Sequence, residues 1–78
     1  MDIPQLYDKG CVSQEVLLLY AISGDLPSKT DYNKMGVEEK QKFWHSRLKE
    51  RLGSRWKQWR DYVNVNIEIL HDWAKEGF

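Results

Sequence analysis

Seventy-eight residues leave room for one domain and one core, and chains of this size bury a modest share of their surface. Twelve Lys and Arg balance twelve Asp and Glu, so no overall charge recommends nucleic acid or a membrane surface as a partner. A single cysteine, Cys11, excludes an internal disulfide, and the longest apolar run, residues 16–22, is far too short to span a bilayer.

Met1 is followed by Asp2 rather than by a basic start and an apolar stretch, so no signal peptide is expected. No N-x-S/T sequon begins at Asn33, Asn64 or Asn66. A reducing, cytoplasmic setting is the expectation.

Residues 2–10 read as one or two helical turns. Pro4 falls in the first turn, where its missing N–H is no loss, and Gly10 suits a left-handed stop. Ser13 is an N-cap for a helix over about residues 13–23. Its stretch 16–22 is apolar on every side, so the helix must be covered on most faces and should sit centrally. A buried strand is the competing reading of so short a run. Gly24 and Pro27 close the segment.

Ser28 and Asp31 have capping-box spacing and start a short turn that Gly36 ends. Residues 37–52 show helical periodicity, with Val37, Trp44, Leu48 and Leu52 on one face and Gln41 beside them. Glu38 and Lys42 stand at i,i+4, where they can pair. Gly53 is the stop, and Ser54 is the next expected N-cap.

Residues 62–69 alternate apolar and polar, as a strand would. A helical wheel of residues 54–76 separates them better. Lys57, Arg60, Asp61, Asn64, Glu68, His71, Asp72 and Lys75 fall in one polar arc. No turn residues bracket the alternation, so one helix is expected. Trp56, Trp59, Val63, Ile67 and Leu70 centre its apolar arc, and Tyr62, Val65, Ile69 and Trp73 extend it on one flank. A surface helix needs an apolar arc of about 100°, and this one is close to twice that. Either the helix is wedged between internal neighbours, or another chain covers the flank. The expected fold is all-α: three main helices at about 13–23, 37–52 and 54–76, with short extra turns.

Catalytic constellations are missing. The glycines are scattered, and most stand where helices should end, so no phosphate-binding loop is present. Cys11, His45 and His71 are too dispersed for a metal cluster. Glu68-x-x-His71 is one copy of a spacing that di-iron bundles use in pairs, and two solvated side chains explain it better. Ser13 and Ser54 serve as caps, and the lone Cys11 is expected as a small buried hydrophobe rather than a nucleophile. Glu38 and Glu39 point in different directions on a helix. The chain is therefore expected not to be an enzyme and to need no cofactor, metal or small-molecule substrate.

Two surfaces remain. Tyr62, Val65, Ile69 and Trp73 would anchor a larger protein partner or a second copy, with Arg47, Arg51 and Arg55 supplying charge complementarity. Alternatively, the basic-aromatic stretch 40–60 would hold nucleic acid through Lys40, Phe43, Arg47, Arg51, Arg55, Lys57 and Arg60. Basic side chains flanking an apolar stripe are also ordinary solubilisers. The Gly53-Ser54 junction resembles a helix-turn-helix only loosely. Lys49 and Glu50 stand where a small residue is wanted, and Trp56 and Trp59 open what would be the recognition helix. A plain antiparallel helix hairpin fits better. A protein-binding regulator, adaptor or inhibitor is the first expectation, and nucleic-acid binding the second.

Overall fold

The structure, a computed structural model, describes residues 2–77. It is all-α. The helices are α1 (Ile3–Asp8), α2 (Gln14–Ile22), α3 (Lys29–Lys34), α4 (Val37–Leu52), α5 (Arg60–Val65) and α6 (Leu70–Glu76), and a 3-10 segment (Gly53–Trp59) joins α4 to α5. No strand occurs among the described residues.

Local chemistry explains most of these boundaries. Pro4 sits in the first turn of α1, and Gly10, at φ 76°, ends the turn that follows it. Ser13 Oγ accepts the Val16 N–H (3.3 Å) and Ser28 Oγ accepts the Asp31 N–H (3.1 Å), so both serines cap as their spacing predicts. Gly53 stops α4 at φ 59°. Ser54 caps nothing: the chain passes directly into the 3-10 segment, which has no side-chain cap. Glu38 and Lys42 form no ion pair among the described residues.

The core gathers Leu17, Leu18, Ala21 and Ile22 of α2, Tyr32 of α3, Trp44, Leu48 and Leu52 of α4, and Trp59, Val63, Ile67 and Leu70. Helix α2 packs against α4 and α6, and α1 packs on α2. The helix that is apolar all round is thus central, as its composition requires, although Val16 stays 40% exposed. Chain direction reverses at Gly53, and α4 packs against both the 3-10 segment and α5, as in a helix hairpin.

Residues 54–76 follow a helical course but not as one uninterrupted helix. Asn66 leaves helical geometry (φ −104°, ψ 24°), and residues 66–69 form a turn. The Ile69 N–H bonds the Asn66 carbonyl three residues back (3.0 Å), while Asn66 Nδ2 donates to the Tyr62 carbonyl (2.9 Å). Amide side chains compete in this way with the helical ladder. The tighter turn shifts the helical phase, and the expected polar arc breaks there. His71, placed in that arc by the wheel, is completely buried. Its Nε2–H donates to the Pro27 carbonyl (2.7 Å), and its ring tilts against Tyr32 with centroids 4.9 Å apart. The expectation that Glu68 and His71 are two solvated side chains fails for His71. It holds for Glu68, which stays exposed while pairing with Lys40. Cys11, expected to be buried, is exposed.

A polar thread crosses the core. The Trp44 indole N–H donates to the Tyr32 hydroxyl (2.7 Å), which donates in turn to the Ile67 carbonyl. Burial raises the Tyr32 pKa. The Trp44 bond opposes that shift, and the nearby Glu68 charge adds to it.

Candidate binding faces

The basic stretch is divided by the fold. Lys40 is 5% exposed, its ammonium held by Glu68 (2.9 and 3.0 Å) and lying 4.9 Å from the Tyr32 ring centroid. Arg47 donates to the carbonyls of Ile22 (3.3 Å), Ser23 (3.4 Å) and Asp25, and packs over Phe43 at 4.9 Å. Arg51 donates to the carbonyls of Tyr20 (2.9 Å) and Ser23. The carbonyls of Tyr20, Ile22 and Ser23 end α2, where the helix leaves acceptors unsatisfied and the dipole favours a cation. Burial and the neighbouring Arg51 lower the Arg47 pKa, while Asp25 and Glu50 oppose that shift. Arg55 pairs with Asp8 of α1.

Lys40, Phe43, Arg47 and Arg51 do share one side of α4, as helical spacing predicts, and the molecule covers that side. Lys57 and Arg60 are exposed on the return segment, with Arg60 3.8 Å from Asp61. The seven residues expected to grip nucleic acid therefore do not come together.

The apolar row keeps its solvent. Tyr62 and Ile69 are each 42% exposed and Val65 is 83% exposed. Trp73 is half-buried against the core, and its ring stacks with Tyr62 at 6.1 Å and 21°. Helix α2, which could have covered this flank, instead meets Trp59 and Tyr62 along a groove. Gln14, Glu15, Leu18, Trp59 and Tyr62 line it, and it encloses about 500 Å³. Trp59, itself buried, has an indole N–H with no hydrogen-bond partner in the described structure. Tyr62 belongs to both groove and row, so the two form one face. Glu15 and Asp61 stand beside Tyr62, and Glu76 lies one turn beyond Trp73; all three are exposed.

The groove was not foreseen in the sequence. Trp59 reads there as ordinary core, and no local pattern places residues 14–18 against residues 59–62. Only the tertiary contact brings Trp59 and Glu15 to one groove.

Among the described residues, no three of His, Cys, Asp and Glu gather closely enough to hold a metal ion, and no helix is long and apolar enough to cross a membrane. No family model, curated protein or solved structure matches this chain.

Proposed function

We propose that this chain is a non-enzymatic protein-binding module. It acts as a small regulator, adaptor or inhibitor in a reducing, cytoplasmic setting, where the exposed Cys11 thiol stays free. The observation that carries this reading is the row of Val65 and Ile69, left in solvent beside the stacked Tyr62 and Trp73. Contiguous apolar surface of this kind marks binding sites, and Tyr and Trp are enriched among their anchors.

The occupant is a segment of another protein with three properties. It brings an apolar anchor for Val65, Ile69 and the groove wall at Leu18. It brings a hydrogen-bonding group to the open groove wall at Gln14 and Tyr62. It brings basic residues to meet the exposed carboxylates of Glu15, Asp61 and Glu76. Arg47, Arg51 and Arg55 are left out of this face, because their guanidinium groups bond carbonyls or carboxylates of the chain itself.

A photo-crosslinking residue at position 65, introduced in the native host cells, tests the reading. A discrete adduct is expected, absent when Ile69→Asp is added. The captured protein, once purified, should bind the wild-type chain and lose at least tenfold in affinity for Ile69→Asp. Sedimentation of the purified chain separates self-association from a foreign partner. No adduct at position 65, or equal binding by Ile69→Asp, contradicts the proposal.

A further inference from the structure

Three lysines that make no ion pair among the described residues lie along a second face. Lys42, Lys49 and Lys57 are exposed and have no carboxylate within ion-pair distance among the described residues. Lys42, His45 and Lys49 recur at three- and four-residue spacing and so share one side of α4. Lys57, Arg60 and Asn64 recur in the same way along the return segment. The His45 Nε2–H donates to Asn64 Oδ1 (2.8 Å), and this bond sets the two sides against each other. Trp56 closes the seam at its turn end. Its indole is half-buried, with the Lys49 ammonium 4.6 Å from the ring centroid and the His45 ring 5.4 Å away.

We infer that this face binds single-stranded nucleic acid. A base stacks on Trp56 while the phosphates run between the cations of α4 and those of the return segment. The face offers two things together, a flat aromatic surface and the charges of Lys42, Lys49 and Lys57 without an ion-pair partner, with Arg60 beside them 3.8 Å from Asp61. An acidic peptide or an anionic membrane would use only the charges. A duplex keeps its bases inside and would also use only the charges. Single strands use both, through base stacking and phosphate neutralisation. Lys49 moves from the indole to a phosphate when the base arrives, exchanging one favourable contact for another. Zero net charge does not oppose this, because Lys40, Arg47, Arg51 and Arg55 are paired or bonded elsewhere. The unbalanced charge is local, and Glu38, one turn before Lys42, marks its end. The residue set differs from the seven expected from the sequence: Lys42, His45, Lys49 and Trp56 enter, and Lys40, Phe43, Arg47, Arg51 and Arg55 leave. The face is also separate from the Tyr62–Trp73 row, so this inference does not depend on the protein-binding reading.

Fluorescence anisotropy of a labelled pyrimidine oligonucleotide of about twelve nucleotides, within the site sizes of such surfaces, provides the test. The same measurement is made with an abasic strand of equal length and with a duplex, at low and near-physiological salt. Single-strand binding should weaken as salt rises. The abasic strand should bind about 5- to 150-fold more weakly, the range that one stacked base provides. The exposed triple variant Lys49→Ala, Lys57→Ala, Arg60→Ala should flatten the salt slope by about 2, at roughly 0.7 per phosphate contact. Trp56→Leu should weaken binding and leave that slope unchanged. The abasic comparison needs no substitution, so it holds even if Trp56→Leu does not fold. No binding at low salt overturns the inference. So does equal affinity for the abasic strand or the duplex, which would reduce the face to a charged surface.

Discussion

The ammonium of Lys40 lies 2.9 Å from the carboxylate of Glu68, yet the two side chains differ sharply in exposure, 6% for Lys40 and 66% for Glu68. Removing either partner therefore has a different consequence. Glu68→Ala strands a shielded cation and should cost about 1–2 kcal/mol, less than for a fully buried pair because one side stays open to water. Lys40→Met keeps the packed stem and returns Glu68 to solvent, so it should stay within about 1 kcal/mol of the wild type. Urea unfolding of the two variants checks the asymmetry, and equal losses would contradict it.

Arg51 and Gly24 form a second coupled pair. Arg51→Ala removes one of two guanidinium groups at the end of α2, where Arg47 still reaches the Ser23 carbonyl and Ser23 Oγ the Tyr20 carbonyl, and should cost about 1 kcal/mol. Arg51→Lys should not restore the loss, because an ammonium lacks the planar fork. At Gly24 an added Cβ would lie 2.6 Å from Arg51 Nη2, and the backbone sits at φ 114°. Gly24→Ala is therefore destabilising for two reasons, steric and conformational. In the Arg51→Ala background it should cost less, by about 1 kcal/mol, while the conformational part persists. A double-mutant cycle measures this difference, and strict additivity would exclude the contact.

Tyr32 links α3 to α4 and to the turn after α5 through one hydroxyl. Tyr32→Phe leaves the Trp44 N–H and the Ile67 carbonyl without that partner and should cost about 1–3 kcal/mol. Because burial raises the Tyr32 pKa, the folded state disfavours the phenolate. That contribution to stability is fully present below the unfolded value of about 10 and is lost as pH rises from there through the folded value. Chemical unfolding between pH 8 and 11 should show stability falling more steeply above pH 10 in the wild type than in Tyr32→Phe. Parallel curves would show that Tyr32 titrates alike in both states.

Much of the fold was legible because it rests on local chemistry. Ser13, Ser28 and Gly53 mark helix ends through their own side chains or backbone freedom, and Trp44, Leu48 and Leu52 lie on one face at helical spacing. The break at Asn66 was hidden. Asn66 carries no strong turn signal, and its effect depends on a side-chain bond to Tyr62. One hidden turn was enough to place His71 in the wrong arc. The arginines were equally obscure. Composition marks Arg47 and Arg51 as surface charge, and only the path of the chain after Ile22 brings acceptors to them. The row Tyr62, Val65, Ile69 and Trp73 spans the break, and the stack of Tyr62 on Trp73 joins its two ends. Its exposure was not legible, because that depends on where α2 packs.

Substitutions in the row separate interface from core. Val65→Asp should leave stability within about 0.5 kcal/mol of the wild type, because a solvated position has little packing to lose. Trp73→Ala should cost about 2–3 kcal/mol, because its half-buried ring packs on the core and stacks with Tyr62. Thermal and urea unfolding of the two variants check the contrast. A large loss in Val65→Asp would make that side chain part of the core.

The most direct test of a protein-binding face pairs two measurements on the double variant Val65→Asp, Ile69→Asp: its urea unfolding curve, and its affinity for the protein captured by crosslinking at position 65. A nearly unchanged unfolding midpoint and at least a tenfold loss of affinity are expected. Unfolding of the variant, or undiminished affinity in a folded variant, would contradict the protein-binding reading.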